Sequence, residues 1–511
     1  MPDLAAFVRF CRFGSRRRAR LRPLVAFAAL LVAWPLAAQS PDRAQRPTVP
    51  PAREPAAELH DRTAAALGEW LRGSHIAPSD IGLVAVPVDG GIPLLSHDAG
   101  QPFNPASTMK ILTTLAGFSI LGPDYRWRTT AHLGGTIEAG VLGGDLVLRG
   151  GGDPKLVVED LTAYVARMRK AGLREIRGDL VLDDALFDVG PDSVERFDTD
   201  LSQPYNVRPH ALLMNFKSTR LVAAPGAGGA RLRLDPSLAD VAIEDRVRLV
   251  RGPCRAGGVN LSVADSGPGQ QPAIRVLGTY APACGEQSLF VSVLSHRQYI
   301  HALFRSVWLA SGGLWSGTTR IAPGAARGLP VWQEWVSPRT LADVVRDINK
   351  FSNNVMARQL LLMLAADPER RPVTLERARD AVGRWLASQG LDLPGAVIDN
   401  GSGLSRHERL SAASLAQLLQ FAAAGPHADR LRESLPQVGV DGTMKRRLEG
   451  EPVASRAWIK TGSLVDVRAI AGYVDAASGR RYAVALLING PRLERARMVQ
   501  DRFLRWVHDN G

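Results

Sequence analysis

Apolar residues recur at helical spacing between Ala56 and Arg72, where Leu59, Ala66, Leu67, Trp70 and Leu71 fall along one side. The period then changes. Ile81–Val88 and Ile92–Ser96 are apolar runs on either side of Asp89-Gly90-Gly91, which predicts a hairpin. A loop over Pro102–Pro105 leads into a second helix from Ala106 to Leu121, stopped by Gly122-Pro123-Asp124. From Thr129 to Trp335 short strand-like runs alternate with Gly-rich turns: Asp145–Leu148, Gly178–Leu182, Arg231–Leu234, Val247–Val250 and Ile274–Tyr280. One helix, Leu161–Gly172, interrupts them. Helical spacing returns at Thr340–Ala365, Thr374–Gln389 and Ser411–Ala424, with Ser411 as N-cap of the last. Three strands follow at Trp458–Gly462, Arg468–Val474 and Tyr482–Asn489, then a helix over Leu493–Val507.

Helix and hairpin first, strands and helix last, predict helices packed on an antiparallel sheet. The fold class is α/β of the α+β kind, with a large β-rich insertion of one or two domains. The expected organisation is 56–144 and 338–511 as one domain and 145–337 as the insertion. No repeat of 20–50 residues occurs.

Charge changes the picture at one end only. The formal net charge is +13, and residues 1–22 hold seven Arg and one Asp, so the remainder carries about half of it. No clustered basic stripe follows, which argues against a nucleic-acid partner. Arg16, Arg17, Arg18, Arg20 and Arg22 precede the apolar run Leu24–Ala38, too short for a comfortable membrane span. This reads as an export signal over 1–40, with an uncleaved anchor as the alternative, and predicts a periplasmic protein. Residues 41–55, rich in Pro, Arg and Gln, read as a disordered linker. Cys11 lies in the signal. Cys254 and Cys284 remain, either as a disulfide in an oxidising compartment or as two free thiols. The ten His show no metal-ligand spacing, so neither metal nor cofactor is expected.

Three short motifs carry candidate chemistry. Ser107-Thr108-Met109-Lys110 opens the second helix, where residues three apart share a face. A hydroxyl needs an adjacent base to act as nucleophile, and a Lys amine serves if burial and nearby positive charge lower its pKa. Ser352-Asn353-Asn354 supplies a second hydroxyl and an amide able to hold a peptide group from both its donor and acceptor sides. Lys460-Thr461-Gly462-Ser463 sits on a predicted strand. There Gly lets a substrate backbone approach, and Lys, Thr and Ser suit a carboxylate. Two of only seven Lys in the chain fall in these motifs.

In that order, S-x-x-K, S-x-N and K-T-G resemble the signature of penicillin-binding proteins and serine β-lactamases. Ser107 and Ser352 are 245 positions apart, and the β-rich block fills the gap. This resembles the class C low-molecular-mass penicillin-binding proteins, the S13 family of D-alanyl-D-alanine carboxypeptidases and endopeptidases. There a transpeptidase-like domain carries an insertion between its first two motifs. Gly150–Pro154, Gln203–Asn206, Asn400–Ser405 and Asp441-Gly442-Thr443 resemble the same family.

The resemblance implies that Ser107 forms an acyl-enzyme, Lys110 takes its proton, Ser352 relays protons and Asn354 orients the substrate. It implies an oxyanion hole from the backbone N–H groups of Ser107 and Ser463, and a carboxylate site from Lys460, Thr461 and Ser463. Asp183 would meet the ammonium of a diaminopimelate side chain, with Leu464 lining that subsite. The implied partners are peptidoglycan stems and β-lactams. A homo-oligomer and the balance of carboxypeptidase and endopeptidase action stay open. The alternatives are a serine β-lactamase and a non-catalytic wall-binding scaffold.

Overall fold

A computed structural model describes residues 56–511 apart from 191–196, 198–199, 201, 228, 255–258, 266–271 and 368–371. The expected signal and linker lie outside the described residues. Residues 59–511 cluster as one compact unit. Of the unit before it, only 56–58 are described, as the first residues of helix α1 (Ala56–Leu71).

Five strands form the central sheet: β1 (Ile81–Pro87), β2 (Leu95–His97), β3 (Ala457–Ser463), β4 (Val467–Asp475) and β5 (Arg481–Asn489). Their order is β2-β1-β5-β4-β3 and every pair is antiparallel. Side chains alternate across a strand, so each strand serves two cores. Ile81, Leu83 and Ala85 face one core with Trp70 of α1 and Phe503 and Val507 of the C-terminal helix, Ala496–Asn510. Val84 and Val86 face the other, with Leu112, Ile348, Leu360, Val382 and Leu415. Burying each such aliphatic side chain contributes roughly 1.5–3 kcal/mol. Both faces are covered, which is why the strands read as apolar runs and not as alternating ones.

The second core is built by α2 (Lys110–Leu121), α3 (Leu341–Phe351), α4 (Asn354–Met363), α5 (Leu375–Ser388) and α6 (Ala412–Ala424). The sequence predicts one helix over Thr340–Ala365; the chain forms two, α3 and α4. Ser352 between them adopts the left-handed conformation (φ 57°, ψ 37°), and the Asn353 side chain accepts the Met356 N–H to start α4. The break therefore falls on the S-x-N motif.

The inserted segment begins earlier than expected. Strand Arg128–Leu133 pairs with Leu146–Arg149 on one side and with Gln333–Val336 on the other. The chain enters and leaves this five-stranded sheet on adjacent strands, so the insertion spans about 128–336, and the boundary expected at 145 cuts through it. Two helices cover the sheet, Val158–Lys170 and His296–Ala310. The second is missing from the sequence reading, although Ser295 and Gln298 form a capping box at its start. Two further three-stranded sheets lie within 219–291, and Cys254 and Cys284 form a disulfide there.

Candidate active site

A 3₁₀ turn, Ala106–Met109, runs directly into α2. Residues i and i+3 eclipse in such a turn, which stacks Ser107 and Lys110 on one side. Ala106, just before the serine, has φ 43°, a conformation L residues rarely adopt. Two glycines hold the turn in place. A Cβ on Gly403 would sit 1.9 Å from the Ala106 carbonyl oxygen, and one on Gly462 would sit 2.9 Å from the Ser107 nitrogen. No side chain fits at either position, so the K-T-G strand and the 401–403 loop both abut the Ser107 backbone.

Lys110 is fully buried, and its Nζ has three oxygen neighbours. They are Ser107 Oγ at 2.9 Å, Asn354 Oδ1 at 2.7 Å and the Ser402 carbonyl oxygen. Its pKa is held well below the ordinary lysine value. Burial is the largest cause and the charge of Lys460 the next; Glu408 acts in the opposite direction, and Arg358 adds to the depression. Lys460 is also fully buried, and burial brings its pKa down to about 7. Its Nζ lies 2.9 Å from Ser352 Oγ and donates to the Thr461 carbonyl at 2.7 Å. Ser107, Lys110, Ser352, Asn354 and Lys460 thus come together from three segments: the 3₁₀ turn, the break between two helices and an edge strand of the sheet.

Thr461 is half-buried and Ser463 exposed, both on β3. Leu464 follows in the turn to β4 and packs partly against the second core. Asp183 is placed differently from its expected role. It ends strand Leu180–Asp183 in the insertion, 1% exposed, and its carboxylate accepts the backbone N–H groups of Ala185, Gly324 and Ala326. A carboxylate enclosed and spent on backbone has no open edge for a substrate ammonium. Asp184 beside it is the more open of the two, 3.4 Å from His210 Nε2.

Further residues join the site without having been given roles from sequence. Thr443 Oγ1 lies 2.7 Å from Thr461 Oγ1, on a turn fixed where Lys350 Nζ meets both oxygens of Asp441. Ser402 and Thr443 fall in stretches whose family likeness was legible, but their contacts were not. Glu408 gave no signal, since a charged residue in a polar run reads as surface, and Arg358 is a lone charge in the otherwise mostly apolar helix α4.

Most of the chain is similar to known proteins. The family model described as D-Ala-D-Ala carboxypeptidase 3 (S13) matches residues 63–509. The D-alanyl-D-alanine carboxypeptidase of Actinomadura sp. (strain R39) is 29% identical over 430 residues, covering 80% of this chain and 77% of that protein. The D-alanyl-D-alanine carboxypeptidase DacB of Haemophilus influenzae is 26% identical over 418 residues, covering 81% and 86%. The crystal structure of penicillin-binding protein 4 (dacB) from Haemophilus influenzae matches with a TM-score of 0.74 at 24% identity, over 87% of this chain and 99% of that one. That likeness supports the α/β transpeptidase-like fold.

Proposed function

The chain belongs to the D-Ala-D-Ala carboxypeptidase 3 (S13) family and is a serine DD-peptidase, and from that premise we propose how its own residues divide the work. Ser107 Oγ attacks the carbonyl carbon of the penultimate D-alanine while its proton passes to Lys110 Nζ. The negative oxygen that forms is held by the backbone N–H groups of Ser107 and Ser463. Collapse breaks the C–N bond, and the leaving amine receives a proton by way of Ser352. Water then attacks the acyl carbon, gives up a proton, and frees Ser107. Asn354 holds the substrate amide, and Lys460, Thr461 and Ser463 take the terminal carboxylate.

One observation carries this reading. A neutral amine has two N–H donors and one lone pair. Asn354 Oδ1 and the Ser402 carbonyl can only accept, so they use both donors. The lone pair is left for the third neighbour, Ser107, whose O–H can donate to it.

The substrates are peptidoglycan stems ending in D-Ala-D-Ala, and cross-links through D-alanine and diaminopimelate present the same carbonyl to Ser107. A related crystal structure from Haemophilus influenzae is a complex with a novel β-lactam, which supports β-lactam binding here. The basic run and apolar stretch within 1–40 favour export to the periplasm. No helix among the described residues is long and apolar enough to cross a membrane.

The test is labelling with a fluorescent penicillin, followed by digestion of cross-linked and uncross-linked muropeptides. Wild type should form a long-lived adduct and release D-alanine; Ser107→Ala should do neither while keeping its circular dichroism. Adduct on Ser107→Ala would overturn the assignment, and rapid penicillin turnover would favour a β-lactamase.

A further inference from the structure

Behind Lys110 lies a carboxylate that the mechanism above does not use. Glu408 is 0% exposed, between the 400–405 loop and strand Leu410–Ser411. Its Oε1 accepts the N–H groups of Asn400 at 3.0 Å and Gly401 at 2.7 Å. Its Oε2 is buried and accepts no hydrogen bond among the described residues. The loop it holds does two things at the site. It presents the Ser402 carbonyl to Lys110 Nζ, and it sets Gly403 against the Ala106–Ser107 backbone. Thr113 of α2 reaches the same loop through the Gly401 carbonyl at 2.7 Å.

We propose that Glu408 is a positioning residue for the acylation step: it pins the 400–403 loop onto Lys110, and its negative charge sets the pH range over which Lys110 can accept the Ser107 proton. The inference rests on the reading of Lys110 as base.

Asp399 on the same loop, itself paired with Arg379, repels the Glu408 charge; Lys110 and Arg358 attract it; Lys460 faces Lys110 from the sheet. Burial and Asp399 raise the Glu408 carboxyl to about 7, against the hydrogen bonds from Gly401 and Asn400 and the charge of Lys110. A carboxyl poised there changes charge in the range where the enzyme would operate. When it is ionised it favours the ammonium form of Lys110, and when it is neutral it releases that form. Two buried groups so linked titrate as a pair, so the acid limb of the rate profile belongs to both.

Acylation by fluorescent penicillin, measured on the exported protein from pH 5 to 10, separates charge from shape. Glu408→Gln keeps an oxygen that can accept both loop N–H groups but removes the charge. Its acid limb should move to lower pH by roughly half a unit or more. Glu408→Asp keeps the charge on a shorter arm; its limb should stay near the wild-type position while the plateau falls several-fold. A Glu408→Gln limb that overlays wild type, or equal displacement in both variants, overturns the proposal. Should Glu408→Gln fail to fold, Glu408→Asp decides alone: a retained limb with a several-fold lower plateau supports the proposal, and a displaced limb or an unchanged plateau overturns it. Ser107→Ala, run alongside, keeps the two readings apart, because its loss of labelling does not depend on what either Glu408 variant does.

Discussion

The surroundings of Lys110 and those of Lys460 differ more than their shared burial suggests. Both amines are fully buried, and both sit 2.9 Å from a serine hydroxyl. Lys110 is enclosed by two obligate acceptors besides its serine and has Glu408 acting on it from behind. Lys460 has one backbone carbonyl besides Ser352, and burial alone is what lowers its pKa, to about 7. On the proposed reading the first arrangement turns a lone pair towards a nucleophile. The second leaves a cation that is costly to bury until an anion arrives. In the proposed division of work one residue type supplies a base and an anchor, and the neighbours decide which.

Removing each amine tests that division, and the largest effect belongs to Lys110. Lys110→Ala should slow acylation by about 10²–10⁴-fold, the range general-base assistance supplies. The loss should appear equally in kcat and kcat/KM once acylation limits turnover. Lys460→Ala should cost roughly 10–100-fold in kcat/KM for a carboxylate-bearing peptide, from charge-assisted hydrogen bonds worth about 1.5–3 kcal/mol. More of that loss should fall on KM. Stopped-flow acylation with steady-state hydrolysis separates the two patterns; matching patterns would end the distinction.

Asp183 sharpens the comparison from outside it. Its carboxylate binds three backbone N–H groups of the insertion. Asp183→Asn should lower stability by about 1–3 kcal/mol, since a buried set of donors loses part of its acceptor. It should affect diaminopimelate stems and simpler peptides alike. Thermal melts and paired hydrolysis assays check this, and a selective loss on diaminopimelate stems would restore Asp183 as a recognition residue.

How much of this was legible in the sequence depends on the range of the interaction. Helices α1, α5 and α6 follow local periodicity closely, because one apolar face determines each, and α2 and the three C-terminal strands stand out as apolar runs because they are buried on more than one side. Ser107 and Lys110 are three residues apart, and local geometry alone puts them together. The S-x-N motif was readable as residues, but the left-handed Ser352 that turns its hydroxyl towards Lys460 was not; periodicity runs straight through 340–365. The start of the insertion was misplaced because strand 128–133 is defined by its partner 200 residues on, and pairing leaves no mark on the apolar pattern. Glu408 was invisible for a related reason. Its meaning comes from the Asn400 and Gly401 amides and from Lys110, which the fold brings to it.

The smallest predicted effect discriminates most finely, because it uses one enzyme and two substrates. With its pKa near 7, Lys460 is protonated below that pH and loses its proton above it. A terminal carboxylate binds the charged form, so kcat/KM for an acid peptide should fall on the basic side by up to about tenfold per pH unit. The limb shared by Lys110 and Glu408 runs in the opposite direction, rising with pH as Lys110 gives up its proton. A D-Ala-D-Ala peptide amide has no carboxylate to meet the cation. It should be hydrolysed more slowly throughout, but its basic limb should be shallower while its acid limb stays in place. Coincident basic limbs for acid and amide would mean that Lys460 does not serve as the anion's partner, and its proton would then have to be sought in the relay through Ser352.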